Sequence, residues 1–125
     1  VIRSDGMLTS AGGAGGVGQN CYGGGGGSGG SIYVRCKRLA GNNPVFRAKG
    51  GVGCDDRNTA GSGGGSGGRI AIWRAFDISV GATASANGGT GYKPGVPAGC
   101  GPENGEPGTV VWGWLSAPGT VLVVQ

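Results

Sequence analysis

Histidine is absent from this sequence of 125 residues, and only six side chains are carboxylates. These residue types supply most general acids, general bases and metal ligands, and no nucleophile stands beside a base. We therefore expect no enzymatic activity, no catalytic residue, no bound metal and no cofactor. Long apolar runs are also absent, so no segment approaches the length of a membrane-spanning helix.

One short stretch resembles a calcium-binding nonapeptide repeat, in which glycine carbonyls and an Asp hold the ion. The sequence Gly-Gly-Val-Gly-Cys-Asp at residues 50–55 occurs once, and the matching glycines at residues 88–91 lack the Asp. Arg57 also stands where an apolar residue is expected. A plain turn is therefore the favoured interpretation of residues 50–55.

The cysteines are the disulfide candidates, and there are four of them: Cys21, Cys36, Cys54 and Cys100. No two are close enough in sequence for the usual zinc-ligand spacings. Two disulfides in an oxidising, extracellular compartment fit better. Several pairings agree with the sequence, and the spacing does not choose among them.

Glycine is abundant, with 34 positions. Such a fraction without a three-residue period is typical of low-complexity or disordered chains. Here, however, the phrase Gly-Gly-Gly-Ser-Gly-Gly-Arg-Ile-Ala-Ile-Trp at residues 63–73 has a counterpart at residues 25–34 and a weaker one at residues 106–112. The second glycine of a Gly-Gly pair falls at positions 13, 51 and 89, at intervals of 38 residues. A period of this length indicates a repeat architecture.

The period divides one domain, residues 1–125, into a partial unit at 1–13 and units at 14–51, 52–89 and 90–125. Apolar and polar residues alternate within the units, which is the pattern of half-buried strands, and Cys36 is predicted to face inward. Stacking the units aligns inward residues in columns: Ile32, Ile70 and Val110; Val34, Ile72 and Trp112; Leu8, Phe46, Ala84 and Leu122; Ser10, Ala48, Ala86 and Val124. The sequence therefore predicts an all-β or irregular fold, a glycine-rich repeat solenoid with short strands and almost no α-helix.

The glycine runs need a separate explanation, because glycine in a strand packs nothing and loses backbone entropy. Five consecutive glycines at residues 23–27 indicate a place where side chains would not fit. Tight corners of a parallel β-coil are one explanation, and polyglycine-II helices packed side by side are another. A flexible loop is the third.

The net charge of +4 is carried mainly by one basic cluster: Arg35, Lys37, Arg38, Arg47 and Lys49. A solvated outer face is the favoured interpretation, and a surface for acidic polysaccharide, nucleic acid or an anionic envelope is the alternative. Several aromatic and apolar residues are candidates for a subunit interface or for stacking on sugars: Tyr33, Trp73, Trp112, Trp114, Val121 and Val123.

The phrases at residues 63–72 and 84–91 resemble glycine-rich repeats of large secreted or cell-surface proteins of bacteria and plants. The resemblance covers nearly the whole chain and implies an extracellular β-rich segment similar to the β-solenoid shafts of adhesins. More distantly, the glycine runs resemble the glycine-rich regions of phage tail-fibre adhesins and of anaplastic-lymphoma-type receptor kinases, where polyglycine helices pack in bundles. The resemblance implies no catalytic residue.

The first and last residues stand at nearly the same phase of the period, and the strand predicted at residues 120–124 is apolar. We therefore predict an extracellular structural module that self-associates, either a filament subunit or an adhesin shaft, held by disulfides. A carbohydrate-binding adhesin is the alternative, and an ice-binding protein is a third. The expected partner is a second copy, with polysaccharide or a cell surface as the alternative, and no nucleic acid is expected.

Overall fold

The computed structural model describes residues 1–17, 23–54, 61–92 and 103–116. Within these residues the regular structure consists of strands without an α-helix, so the all-β prediction is confirmed. The strands are β1 (Ile2–Arg3), β2 (Met7–Thr9), β3 (Ser31–Asn42), β4 (Val45–Arg47), β5 (Arg69–Val80), β6 (Thr83–Ser85) and β7 (Thr109–Trp114). In this part of the chain, no helix is long and apolar enough to cross a membrane.

The strands form two parallel sheets, neither of which closes on itself. The larger sheet has the order β1-β3-β5-β7, and the smaller sheet has the order β2-β4-β6. Each strand therefore pairs with the strand two places later in the chain. Pairing joins Ser31 to Arg69 and Met7 to Val45, both 38 residues apart, whereas Arg69 pairs with Thr109.

The core is a single cluster to which both sheets contribute. Ile70 and Ile72 of β5 are 1% and 0% exposed, and Phe46 of β4 is 2% exposed. Burying each such side chain stabilises the fold by about 1.5–3 kcal/mol relative to leaving it in water. The predicted column of Ile32, Ile70 and Val110 lies in register across β3, β5 and β7. The predicted inward position is confirmed for Ile32 and Ile70 but is wrong for Val110 and Leu8, which are 38% and 48% exposed.

Two strands are longer than the sequence pattern predicts, because β3 and β5 each contain 12 residues. The turn-forming residues Gly-Asn-Asn-Pro at positions 41–44 predict a turn there, yet β3 continues to Asn42. The alternation breaks at Lys37, which has no register partner in β5, and the pairing resumes beyond it. The turn comes at Asn43, whose φ of 51° lies in the left-handed region that Asn tolerates. The sequence also does not predict β1, since two residues cannot show alternation.

The break in alternation leaves apolar residues exposed in the second half of β5. Phe76, Ile78 and Val80 are 43%, 58% and 67% exposed. On the side away from β3, this half has no strand partner among the described residues, because β7 pairs only with residues 69–74. In the described part of the chain, the larger sheet therefore ends in a step beyond Trp114.

The glycine-rich segments pack beside one another through backbone hydrogen bonds at intervals of three residues. Gly50 and Gly53 donate to the carbonyls of Asn87 and Thr90 at 2.9 and 2.8 Å. Three residues make one turn of a polyproline-II-type helix, which has no hydrogen bonds of its own. The same interval occurs between donors elsewhere: Gly12 and Gly15; Gly24, Gly27 and Gly30; Gly26 and Gly29; Gly64 and Gly67.

Close approach of the backbones explains why these segments are made of glycine. A Cβ on Gly65 would overlap the carbonyl oxygen of Gly27, and a Cβ on Gly51 would overlap that of Gly13. Side chains occur where the segment faces outward, as at the exposed Val52. This packing argues against the flexible-loop interpretation of the described glycine segments.

Candidate functional site

Among the described residues, the two ends of the strand stack are open edges with exposed apolar side chains. At one end, in β1 and β2, Ile2, Met7 and Leu8 are 39%, 57% and 48% exposed. At the other end, in β7, Val110 and Val111 are 38% and 45% exposed. An open edge presents unpaired N–H and C=O groups to which another strand can bind. We call these surfaces the β1 end and the β7 end.

Beside the β7 end, a buried arginine is held between two tryptophans. The guanidinium carbon of Arg74 lies 4.2 Å from the ring centre of Trp114 and 4.9 Å from that of Trp112. Its Nε donates to a carboxylate oxygen of Asp77 at 2.7 Å, and its side chain is only 10% exposed. A charge so far from water requires such partners. These four residues form the Arg74 cluster.

Strand pairing positions the Arg74 cluster. Arg74 of β5 pairs directly with Trp114 of β7, and Trp112 lies two residues earlier on the same face of its strand. The ring of Trp112 also meets Phe46 edge to face, with centroids 6.1 Å apart and an interplanar angle of 83°. The cluster is thereby joined to the core.

Hydrogen bonds keep the carboxyl group of Asp77 ionised. Burial raises its pKa, but this effect is outweighed by the donors around it, so that the pKa of Asp77 is lowered overall. Ser79 donates twice, from its hydroxyl at 2.6 Å and from its amide at 3.0 Å, and Arg74 donates as well. Each of these bonds stabilises the charged form.

Neither Arg74 nor Asp77 is among the site residues predicted from the sequence. The signal was available, because Arg74 falls on the inward position that Ile70 and Ile72 define by alternation. An arginine at such a position needs an acidic or aromatic partner. The contribution of Asp77 is harder to predict, since it depends on the break in alternation.

The predicted aromatic candidates fall into different environments. Tyr33 and Trp114 are 68% and 63% exposed, as expected of interface or sugar-stacking residues. Trp112 is half-buried and packs against the core, and Trp73 is half-buried with its ring over the backbone of Gly113. The structure brings Trp112 and Trp114 together through Arg74 and leaves Trp73 outside that cluster. Val121 and Val123 lie outside the described residues.

The expectation of a disulfide at each cysteine is not met at two positions. Cys36 and Cys54 are free thiols, and both are buried. Cys36 belongs to the core cluster, where burial raises the pKa of its thiol, while Cys54 lies in a glycine-rich segment and its carbonyl accepts a hydrogen bond from Ser62. The two therefore occupy separate parts of the packing. Cys21 and Cys100 lie outside the described residues.

The basic cluster is exposed at all its positions: Arg35, Lys37, Arg38, Arg47 and Lys49. Arg35 and Lys37 line a groove of about 400 Å³ together with Ala75 and Leu115. The groove carries two surface cations, and the buried residue among those that line it is Cys36. The described residues contain no group of His, Cys, Asp and Glu that could hold a metal ion, and Asp55 of the calcium-like stretch lies outside them.

Comparison with known proteins adds no relative, since no family model, no curated protein and no solved structure matches this chain. The open ends and the Arg74 cluster are therefore the features of this chain that bear on its function.

Proposed function

We propose that this chain is a structural, self-associating extracellular module, a filament subunit or a length of adhesin shaft, built as a glycine-rich repeat solenoid. In this architecture, units of about 38 residues stack along one axis. The pairing of Ser31 with Arg69 and of Met7 with Val45 supports this period. The three-residue hydrogen-bond interval supports polyglycine-II helices in the glycine-rich segments.

The observation that carries the self-association proposal is the pair of open ends. All strands in each sheet run in the same direction, so a second copy in the same orientation can continue both sheets by strand addition. The β1 end and the β7 end are different surfaces, and a contact between them is heterologous. Such a contact leaves one free end on each copy and propagates into a filament unless rotation closes a ring.

Exposed apolar side chains at the ends are not sufficient for stable association. Joining two proteins costs about 4–15 kcal/mol in lost translational and rotational freedom. The apolar residues at each end are few and partly exposed. Backbone hydrogen bonds along the whole width of the stack must therefore contribute to the contact.

Location outside the cell is part of the proposal and rests on the resemblance to glycine-rich repeats of secreted proteins. Cys36 and Cys54 are free thiols, so the proposal includes no disulfide at these two positions. The module would therefore be held by its core and its interstrand hydrogen bonds at these positions.

Self-association is tested by sedimentation velocity of the purified chain over a wide range of concentrations, followed by negative-stain electron microscopy of the same samples. We expect a sedimentation coefficient that rises with concentration and filaments with a regular axial repeat. A single monomeric species at every concentration would contradict the proposal.

A carbohydrate-binding function is the second candidate, and the Arg74 cluster favours it. Trp114 is stacked on Arg74 and remains 63% exposed, so it presents a fixed aromatic face to solvent. Such faces stack on sugar rings. Binding to polysaccharides that Trp114→Ala abolishes and Trp73→Ala preserves would support this candidate, and no binding by the unmodified chain would contradict it. Ice binding stays a prediction that measurement of thermal hysteresis can test.

A further inference from the structure

A series of hydrogen bonds runs through the glycine-rich segments along the stacking direction. Each bond joins one segment to the preceding segment in the chain, and every donor points the same way. The members are Gly105 to Gly89 at 2.8 Å, Gly89 to Gly65 at 2.7 Å, Gly65 to Gly51 at 2.9 Å, Gly51 to Gly27 at 2.8 Å and Gly27 to Gly13 at 2.8 Å. We call this series the glycine relay.

The two ends of the glycine relay are complementary. Its inner members both donate and accept, whereas Gly13 only accepts and Gly105 only donates among the described residues. The relay therefore leaves an N–H at Gly13, on the β1 end, and a C=O at Gly105, on the β7 end. Backbone polar groups that become buried need a partner. The free N–H of one copy therefore has the chemistry and the direction that the free C=O of another copy requires.

The lack of a side chain at Gly13 has no cause within the described chain. A Cβ on Gly51 would overlap the carbonyl oxygen of Gly13, and a Cβ on Gly89 would overlap that of Gly51. Both glycines stand at the same phase of the period as Gly13. A Cβ on Gly13 itself would have no atom within 4 Å. A further segment packed against Gly13, as Gly13 is packed against Gly51, would require glycine there.

The larger sheet shows a matching step in its strands. β7 covers only residues 69–74 of β5, and β1 covers only residues 39–40 of β3. Residues 39–40 pair with residues 77–78 of β5, beyond the end of β7. When the β1 end of one copy meets the β7 end of another, β7 and the incoming β1 would lie along the same side of β5. β7 lies beside residues 69–74 of β5, and the incoming β1 would lie beside residues 77–78. Among the described residues, the strands of the two copies therefore do not compete for the same edge.

We propose that copies of this chain join head to tail through the glycine relay. The Gly13 N–H of one copy donates to the Gly105 C=O of a second, and β1 of the first copy continues the row that β7 of the second begins. We call this contact the joint. It rests on the proposed self-association and specifies the surfaces through which two copies associate, the β1 end of one and the β7 end of the other. The partner is a second copy of the chain, because the donor, the acceptor and both strand halves come from one sequence.

The test compares Gly13→Ala with a matched control, Gly63→Ala, in the full chain. A Cβ on Gly63 would meet only the carbonyl oxygen of Glu103, at an ordinary 3.8 Å. Gly63 lies in an inner segment, which is hydrogen-bonded to the segments of Gly26 and Glu103 on either side. Sedimentation velocity gives the association constant of each protein, and urea unfolding at low concentration gives the stability of the monomer. We expect Gly13→Ala to unfold like the unmodified chain and to raise the dissociation constant at least about tenfold. Gly63→Ala should change neither quantity.

The outcomes separate the joint from self-association in general. A monomeric unmodified chain would overturn both. Assembly of Gly13→Ala with unchanged affinity, or equal weakening by Gly63→Ala, would overturn the joint alone. If Gly13→Ala lowers the stability of the monomer, Val110→Lys replaces it, because Val110 is 38% exposed on the β7 end and the joint would bury it. Unchanged affinity of Val110→Lys would likewise overturn the joint.

Discussion

The sheets and the glycine-rich segments of this chain are stabilised in opposite ways. In the sheets, side chains fill a core, and Ile72 of β5 is fully buried. In the glycine-rich segments, side chains are missing where backbones approach, as at Gly51 and Gly65. The sheets therefore gain stability from apolar area removed from water, and the glycine-rich segments gain it from hydrogen bonds between backbones.

The comparison shows why the glycine-rich segments need the sheets. Fixing a glycine costs about 0.5–1 kcal/mol more than fixing an alanine, and a backbone hydrogen bond contributes about 0.5–1.5 kcal/mol net. Since fixing the backbone of any residue already costs about 1–2 kcal/mol, the hydrogen bonds alone do not stabilise these segments. The adjoining core supplies the remaining stabilising free energy and fixes the register in which the segments pack.

Gly65→Ala should have the largest effect on stability. The new Cβ would overlap the carbonyl oxygen of Gly27, and only backbone could move to relieve it. We expect a loss of more than about 4 kcal/mol in the free energy of unfolding, which is the range of severe overpacking. Urea unfolding followed by tryptophan fluorescence measures the change.

The control for this substitution is Gly25→Ala. A Cβ on Gly25 would meet the carbonyl oxygen of Gly63 at 3.5 Å, an ordinary contact. Its effect should stay within about 0.5 kcal/mol. Equal losses from Gly65→Ala and Gly25→Ala would show that the segments are not packed in this register.

Ile72→Ala tests the contribution of the apolar core of the sheets. Ile72 is 0% exposed at the centre of the larger sheet, so truncation removes buried area and leaves a cavity. The expected loss is about 2–5 kcal/mol. Val80→Ala in the same strand should cost within about 0.5 kcal/mol, since Val80 is 67% exposed. A loss at Val80 as large as that at Ile72 would mean that the second half of β5 is covered.

Arg74→Met should lower the free energy of unfolding by about 1–3 kcal/mol, which is less than the loss expected for Gly65→Ala or Ile72→Ala. Methionine keeps the apolar stem against Trp112 but leaves the carboxylate of Asp77 without its guanidinium partner. A double-mutant cycle with Asp77→Asn separates the ion pair from the packing of the stem. Additive effects of the two substitutions would show that the pair contributes nothing to stability.

Alternation and period predict the parts of the fold that repeat. The column of Ile32, Ile70 and Val110 follows from them, as do the inward positions of Phe46 and Cys36. These positions are predictable because one physical requirement, apolar contact between stacked strands, acts at each step of 38 residues.

What the sequence does not predict lies where the period is broken. The break in alternation at Lys37 extends β3 and β5 and places Asp77 within reach of Arg74. A break is a local event without a repeated signal, so neither the long strands nor the Arg74 cluster follow from the pattern. The free thiol of Cys36 is similar, since alternation predicts that Cys36 faces inward but spacing does not show whether a second cysteine lies within bonding distance of it.

The smallest predicted effect is a dependence of stability on pH through Asp77. Its pKa in the folded protein is lowered, whereas in the unfolded chain it is about 3.9. The unfolded state therefore binds a proton more readily, and the contribution of Asp77 is present at neutral pH and is lost as the pH falls below about 3.9 and through the folded value. The stability difference between the unmodified chain and Asp77→Asn should accordingly shrink on acidification.

Asp5→Asn is the matched control, because the pKa of Asp5 is also lowered, first by its hydrogen bond from Arg3. The side chain of Asp5 is 47% exposed, however, so water screens its pair with Arg3. A difference for Asp77→Asn that stays constant with pH, or one no larger than that for Asp5→Asn, would show that the Arg74 cluster does not hold its carboxylate as described.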